Sequence, residues 1–159
     1  MKTLATLATL ALIASTGVAL AGGGSYDVSG TSIGQSDSKY TPLGETHLFI
    51  DLDSTHTLSD NGTPIAGMEG KCSGHMQVEI GAGAQGIGVC IWADKDGDKW
   101  FGSFTVTGMN ADRVTQGTWY VTGGTGKFAS ATGGGSFNTL TNPDSGESKL
   151  DVFGSITLK

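Results

Sequence analysis

The sequence predicts an all-β protein built as a single eight-stranded antiparallel barrel. Three observations predict it. Beyond the N-terminal segment, apolar and polar residues alternate in short runs bounded by Gly, Asn, Asp or Ser. Sustained helical periodicity is absent from the same stretch. Eight runs with one apolar face each can close on themselves, which removes exposed sheet edges. A two-sheet sandwich is the alternative packing of the same strands. Glycine reaches 27 residues, but it does not recur at every third position, so a collagen-like chain is excluded.

The chain opens "MKTLATLATLALIASTGVALAGGG". A basic Lys2, an apolar stretch from Leu7 to Ile13 and the Ala19-Leu20-Ala21 cleavage pattern read as a secretory signal peptide over residues 1–21. The apolar stretch is shorter than the roughly 20 residues of a membrane span, and no second one follows. A soluble, exported protein, periplasmic or extracellular, is therefore expected. Residues 22–25 read as a flexible tail, and residues 26–159 as one barrel domain.

The strands follow in order. "SYDVSG" is weakly alternating. "THLFIDLD" puts Leu48, Ile50 and Leu52 on one face, and His47, Asp51 and Asp53 on the other. "CSGHMQVEI" groups Cys72, Met76, Val78 and Ile80 against Ser73, His75, Gln77 and Glu79. "GIGVCIWAD" is weaker. "KWFGSFTVTG" groups Trp100, Phe104 and Val106, and "GTWYVTG" groups Trp119 and Val121. "GSFNTLT" is again weak. "SKLDVFGSITLK" closes the series, with Leu150, Val152, Ile156 and Leu158 on its apolar face.

Two registers follow from counting. If the chain turns near Gly81, Cys72 and Cys90 are equidistant from the turn and directly opposed. In an exported chain such a pair reads as a disulfide. A zinc or redox pair is the alternative, but the spacing is not C-x-x-C and no histidine cluster accompanies it. If "DKDGDK" turns near Asp96, Trp92 faces Trp100 across the hairpin.

The formal charge is −6, and the nine basic residues are scattered singly. This argues against a nucleic-acid partner, which needs clustered Lys and Arg, and against docking on anionic lipid.

Asp94, Asp96 and Asp98 occupy the first, third and fifth places of an EF-hand-like loop. Lys99 stands where that loop needs glycine, and Thr105 where it needs glutamate. An acidic hairpin turn is the preferred reading and a low-affinity calcium site the second; no other cofactor is indicated. "VTGGTGKFASATGGGSF" offers Gly126-Lys127 but lacks the remaining positions of a phosphate loop. It reads instead as a structural corner. Gly123, Gly124 and Gly126 allow a sharp exit from the Trp119 strand, Phe128 tucks back as a plug beside Lys127, and Gly133 to Gly135 turn into the next strand.

The stretch Gly123-Gly124-Thr125-Gly126-Lys127-Phe128, with Ala131, Gly133, Gly135 and Phe137, resembles the corner motif of dirigent proteins and allene oxide cyclases. "GVCIWADKDGDKWFGSF" is similar to a segment of exported bacterial proteins of the same barrel group. The resemblance covers roughly residues 86–137. It implies a calycin-like eight-stranded antiparallel barrel and relatives that form homo-oligomers. The matched residues are the structural corner, so no catalytic residue is carried over.

Three functional readings follow. The first is a non-enzymatic barrel that binds a small apolar or amphipathic molecule against Trp92, Trp100, Phe104 and Trp119. The second is a structural or interaction protein with a packed core. The third is an isomerase or cyclase of the allene oxide cyclase type, which would need Glu79, His75 or Asp51 turned into a cavity. Of the three histidines, His47 alternates with Asp51 and Asp53 and reads as part of a solvated face.

Overall fold

The computed structural model describes residues 23–59 and 62–159. Residues 1–22, which include the segment read as a signal peptide, lie outside that description, as do residues 60–61. The described chain forms nine strands: β1 (Gly24–Asp27), β2 (Gly30–Pro42), β3 (His47–Leu58), β4 (Glu69–Glu79), β5 (Gly83–Ala93), β6 (Lys99–Met109), β7 (Thr115–Gly124), β8 (Thr132–Thr141) and β9 (Glu147–Leu158). Each pairs antiparallel with its neighbours in the order β1-β9-β2-β3-β4-β5-β6-β7-β8, and β8 pairs back to β9. The result is a closed eight-stranded barrel with one additional short strand.

That short strand is collinear with β2. Asp27 lies opposite Ser155 and Gly30 opposite Val152, one continuous register along β9. Val28 interrupts it, yet its N–H still donates to Gly154 O at 3.0 Å. Of residues 22–25, read as a flexible tail, Gly24 and Ser25 pair with Leu158 and Thr157, and residue 22 lies outside the described residues. β2 covers only the first half of β9, and without β1 the second half would present unpaired backbone groups.

β2 itself corrects the sequence-based strand series, which placed none over residues 30–42. Its alternation is present but polar. Ser32, Ser36, Ser38 and Tyr40 share one face, and the largest aliphatic residue, Ile33, points outward and is 56% exposed. A strand whose inner face is hydroxyl-lined leaves no apolar period to read. Ile80 is a smaller correction. β4 ends at Glu79, and Ile80 sits exposed in the following turn.

Both counted registers hold. Cys72 opposes Cys90 and is joined to it by a disulfide, with a Cα–Cα distance of 4.1 Å. Trp92 opposes Trp100 across the β5–β6 hairpin. Two register shifts between β6 and β7, at Phe101/Gly102 and Val106/Gly108, bend the sheet where it must curve to close.

One end of the barrel is filled. There Ile65 and Met68, in the connection from β3 to β4, are buried against Val28, Leu58, Trp92, Trp100, Phe128, Ala131 and Ile156. The interior nearer the other end is not filled, and it is lined by the inward faces of the strands.

Candidate functional site: the barrel lumen

The lumen holds a cavity of about 170 Å³. Strand alternation places two different walls around it. On β5 to β8 the inward side chains are aromatic. Trp92 stacks on Trp100 with centroids 5.7 Å apart, Trp100 meets Trp119 at 5.8 Å, and Phe104 meets Phe137 edge-on at 6.0 Å. Glycines on the neighbouring strands make room for these rings. A Cβ on Gly70 would stand 2.5 Å from Trp92 Cε3, and one on Gly74 would stand 2.8 Å from Phe104 Cζ. Both are closer than van der Waals contact allows, so the large side chains depend on their glycine neighbours.

Around β2, β3, β9 and the end of β8 the wall mixes aliphatic side chains, Ile50, Leu52, Leu150 and Val152, with hydroxyls. Ser38, Ser54, Thr139, Thr141 and Ser148 line it. Several satisfy one another: Thr141 Oγ1 donates to Ser148 Oγ at 3.1 Å, and Ser36 and Ser38 share a hydrogen bond of 2.9 Å.

All four residues singled out as a binding wall, Trp92, Trp100, Phe104 and Trp119, line the cavity. Trp119 anchors its ring by donating Nε1–H to Phe153 O at 3.2 Å, whereas the buried Trp100 Nε1 has no hydrogen-bond partner. The Cys72–Cys90 disulfide lines the same cavity, so it is a wall element as well as a cross-link.

Glu79, His75 and Asp51 do not turn inward. Glu79 meets His47 at 3.8 Å on the outer surface, and His75 stacks on Phe49 there. The inward ionisable group is His56, which sequence reading left unassigned. It is 7% exposed, it lines the cavity, and its Nδ1 has no partner. Burial pushes its imidazole pKa below the ordinary 6.5. Its cross-strand neighbours are Gly34 on β2 and Gly70 on β4, so the ring lies over bare backbone. Extending the Leu48-Ile50-Leu52 alternation by two more steps, through Ser54, reaches His56. That was the available signal. Among the described residues lining the cavity, the other titratable side chains are Tyr40 and Arg113. Arg113 holds a left-handed backbone (φ 64°) in the β6–β7 loop, at the end opposite the plug.

The three aspartates of the β5–β6 turn diverge. Asp94 Oδ1 accepts the N–H groups of Asp96 and Asp98, each at 2.9 Å, and Oδ2 meets Lys127 Nζ at 2.5 Å. Burial pulls the Asp94 carboxyl upward, but the Lys127 ammonium and the two N–H groups outweigh it and hold the pKa below 3.8. Asp96 pairs with the exposed Lys95. Asp98 Oδ2 accepts the Lys127 N–H at 3.1 Å, and its carboxylate fills the place a side chain on Gly126 would take, at a residue whose φ of +52° already favours glycine. Asp94 and Asp98 therefore hold the corner, and Asp96 does not reach it. Among the described residues, no three acidic, histidine or cysteine side chains gather as a metal site.

At the corner the glycines are placed differently from the reading at one point: Gly133 to Gly135, read as a turn into the next strand, already pair with β9 inside β8. Gly123, Gly124 and Gly126 carry the chain out of β7 into a single 3-10 turn, Gly126–Phe128. Phe128 is fully buried, with Lys127 Nζ 5.3 Å from its ring centroid, and Gly133 and Gly135 lie in β8.

The chain matches no family model and no curated protein. A barrel by itself does not identify a family. Among the described residues no helix is long and apolar enough to cross a membrane. The disulfide is a feature of proteins folded in oxidising compartments.

Proposed function

We propose that this protein is an exported barrel, periplasmic or extracellular, that binds a small apolar or amphipathic molecule in its lumen. The observation that carries the reading is the cavity of about 170 Å³ lined by aromatic and aliphatic side chains with a few hydroxyls among them. Apolar cavities of about 150 Å³ take up a benzene-sized guest, so the volume suits one six-membered ring. Removing six carbons from water contributes roughly 5 kcal/mol at about 0.8 per CH₂. That corresponds to a dissociation constant of about 0.2 mM for an unsubstituted ring. The resemblance of the Gly123–Phe137 stretch to dirigent proteins and allene oxide cyclases supports the same class of ligand-holding barrel.

The experiment uses the tryptophans already in the wall. All three line the lumen, so an occupant must perturb their emission. Titration with a panel of ring compounds and short-chain lipids gives saturable fluorescence changes on this reading. An unchanged spectrum across the panel would remove it in favour of a purely structural barrel.

A further inference from the structure

His56 defines the polar character of the occupant. Its ring sits over Gly34, where a Cβ would come within 2.5 Å of Nδ1, and that nitrogen is sealed from solvent with no hydrogen-bond partner. A buried N–H without an acceptor is a rarer arrangement than a buried acceptor without a donor. The proton of the neutral ring therefore belongs on Nε2, the other nitrogen of a side chain that lines the cavity.

Building on the lumen as a binding cavity, we propose that His56 is its polar anchor, presenting an Nε2–H donor to a neutral, ring-sized molecule that carries an oxygen acceptor. The aromatic wall of Trp92, Trp100 and Phe104 takes the apolar body of the ring, and His56 takes the oxygen. An occupant without an acceptor leaves the Nε2–H unpaired inside the barrel, a penalty that discriminates against plain hydrocarbons.

Tetrahydropyran and cyclohexane test this, because they share size and shape and differ by one ether oxygen. Their affinities are compared in the wild type and in His56→Phe, so that the difference in water solubility cancels. The wild type favours tetrahydropyran over cyclohexane by about fivefold more than the variant does. In parallel, long-range proton–nitrogen NMR of the wild type shows Nε2 protonated and Nδ1 bare, and the Nε2 resonance moves on adding tetrahydropyran. That second reading does not depend on the variant folding. If both rings bind but the preference and the Nε2 resonance are unchanged, the anchor is wrong while the lumen reading stands. A proton found on Nδ1 overturns the anchor as well. If neither ring binds, both readings fall.

Discussion

His56 and Asp94 are both ionisable, both inside the packed structure, and governed by opposite balances. Gly34 faces His56 from β2, Gly70 from β4, and Trp92 lies over Gly70 from β5. None of these carries a charge, so the imidazole has only the loss of water to respond to, and it stays neutral. Asp94 is surrounded by an ammonium and two N–H donors, and it stays charged. The two residues shape the acid side of the stability profile in sequence. With the folded His56 pKa depressed below 6.5, the unfolded chain takes up the proton first. Stability is then complete above that value and falls as pH drops through the folded pKa. The depressed Asp94 and Asp151 contribute stability that is present above 3.8 and is lost below it, as pH falls through their folded values. Thermal melts between about pH 8 and pH 3 should show both losses. His56→Phe should abolish the upper one and leave the lower one in place. An upper loss that survives the substitution would assign it to another group.

The turn between β5 and β6 and the corner between β7 and β8 form one unit. Lys99 N–H donates to Thr125 Oγ1 at 3.0 Å, Thr125 N–H donates back to Lys99 O at 2.7 Å, and Asp94 and Asp98 reach across to Lys127. The unit holds Phe128 in the plugged end. Asp94→Ala leaves the Lys127 ammonium and two backbone N–H groups without their acceptor, and it should destabilise the fold by roughly 2–3 kcal/mol. Chemical denaturation measures this, and a change within about 0.5 kcal/mol would show that the corner stands without the ion pair. Much of this unit was legible in the sequence. The glycine clusters marked the corner, and equal spacing about Gly81 and Asp96 gave both hairpin registers. The pairing of the acidic turn with Lys127 was not legible, because it joins segments brought together only when β6 and β7 lie side by side. β2 was hidden for a different reason: its inner face is serine, and apolar alternation is the signal by which a strand is read.

The same hidden strand explains why the barrel is not solid. Had β2 carried leucine and valine at Ser32, Ser36 and Ser38, the interior could have filled. With serines there, the aromatic wall meets aliphatic side chains only from β3 and β9, among them Ile50, Leu52, Leu150 and Val152, and about 170 Å³ is left between them. The plugged end supplies the core that stabilises the fold, and the disulfide ties β4 to β5 in the wall of the part left open. Core and cavity share a boundary, because Trp92, Trp100 and Cys72 belong to the packed core and also line the lumen. Division of the interior in this way was not legible from alternation alone, which ranks every inward residue as core.

A crystal of the oxidised protein exposed to bromobenzene tests this account most directly, because the anomalous signal of bromine reports position as well as occupancy. The account predicts a bromine peak inside the barrel, with the ring against Trp100, Phe104 and Trp119. A lumen without bromine, or bromine found only on the outer face around Ile87, Val89 and Ile91, would contradict it.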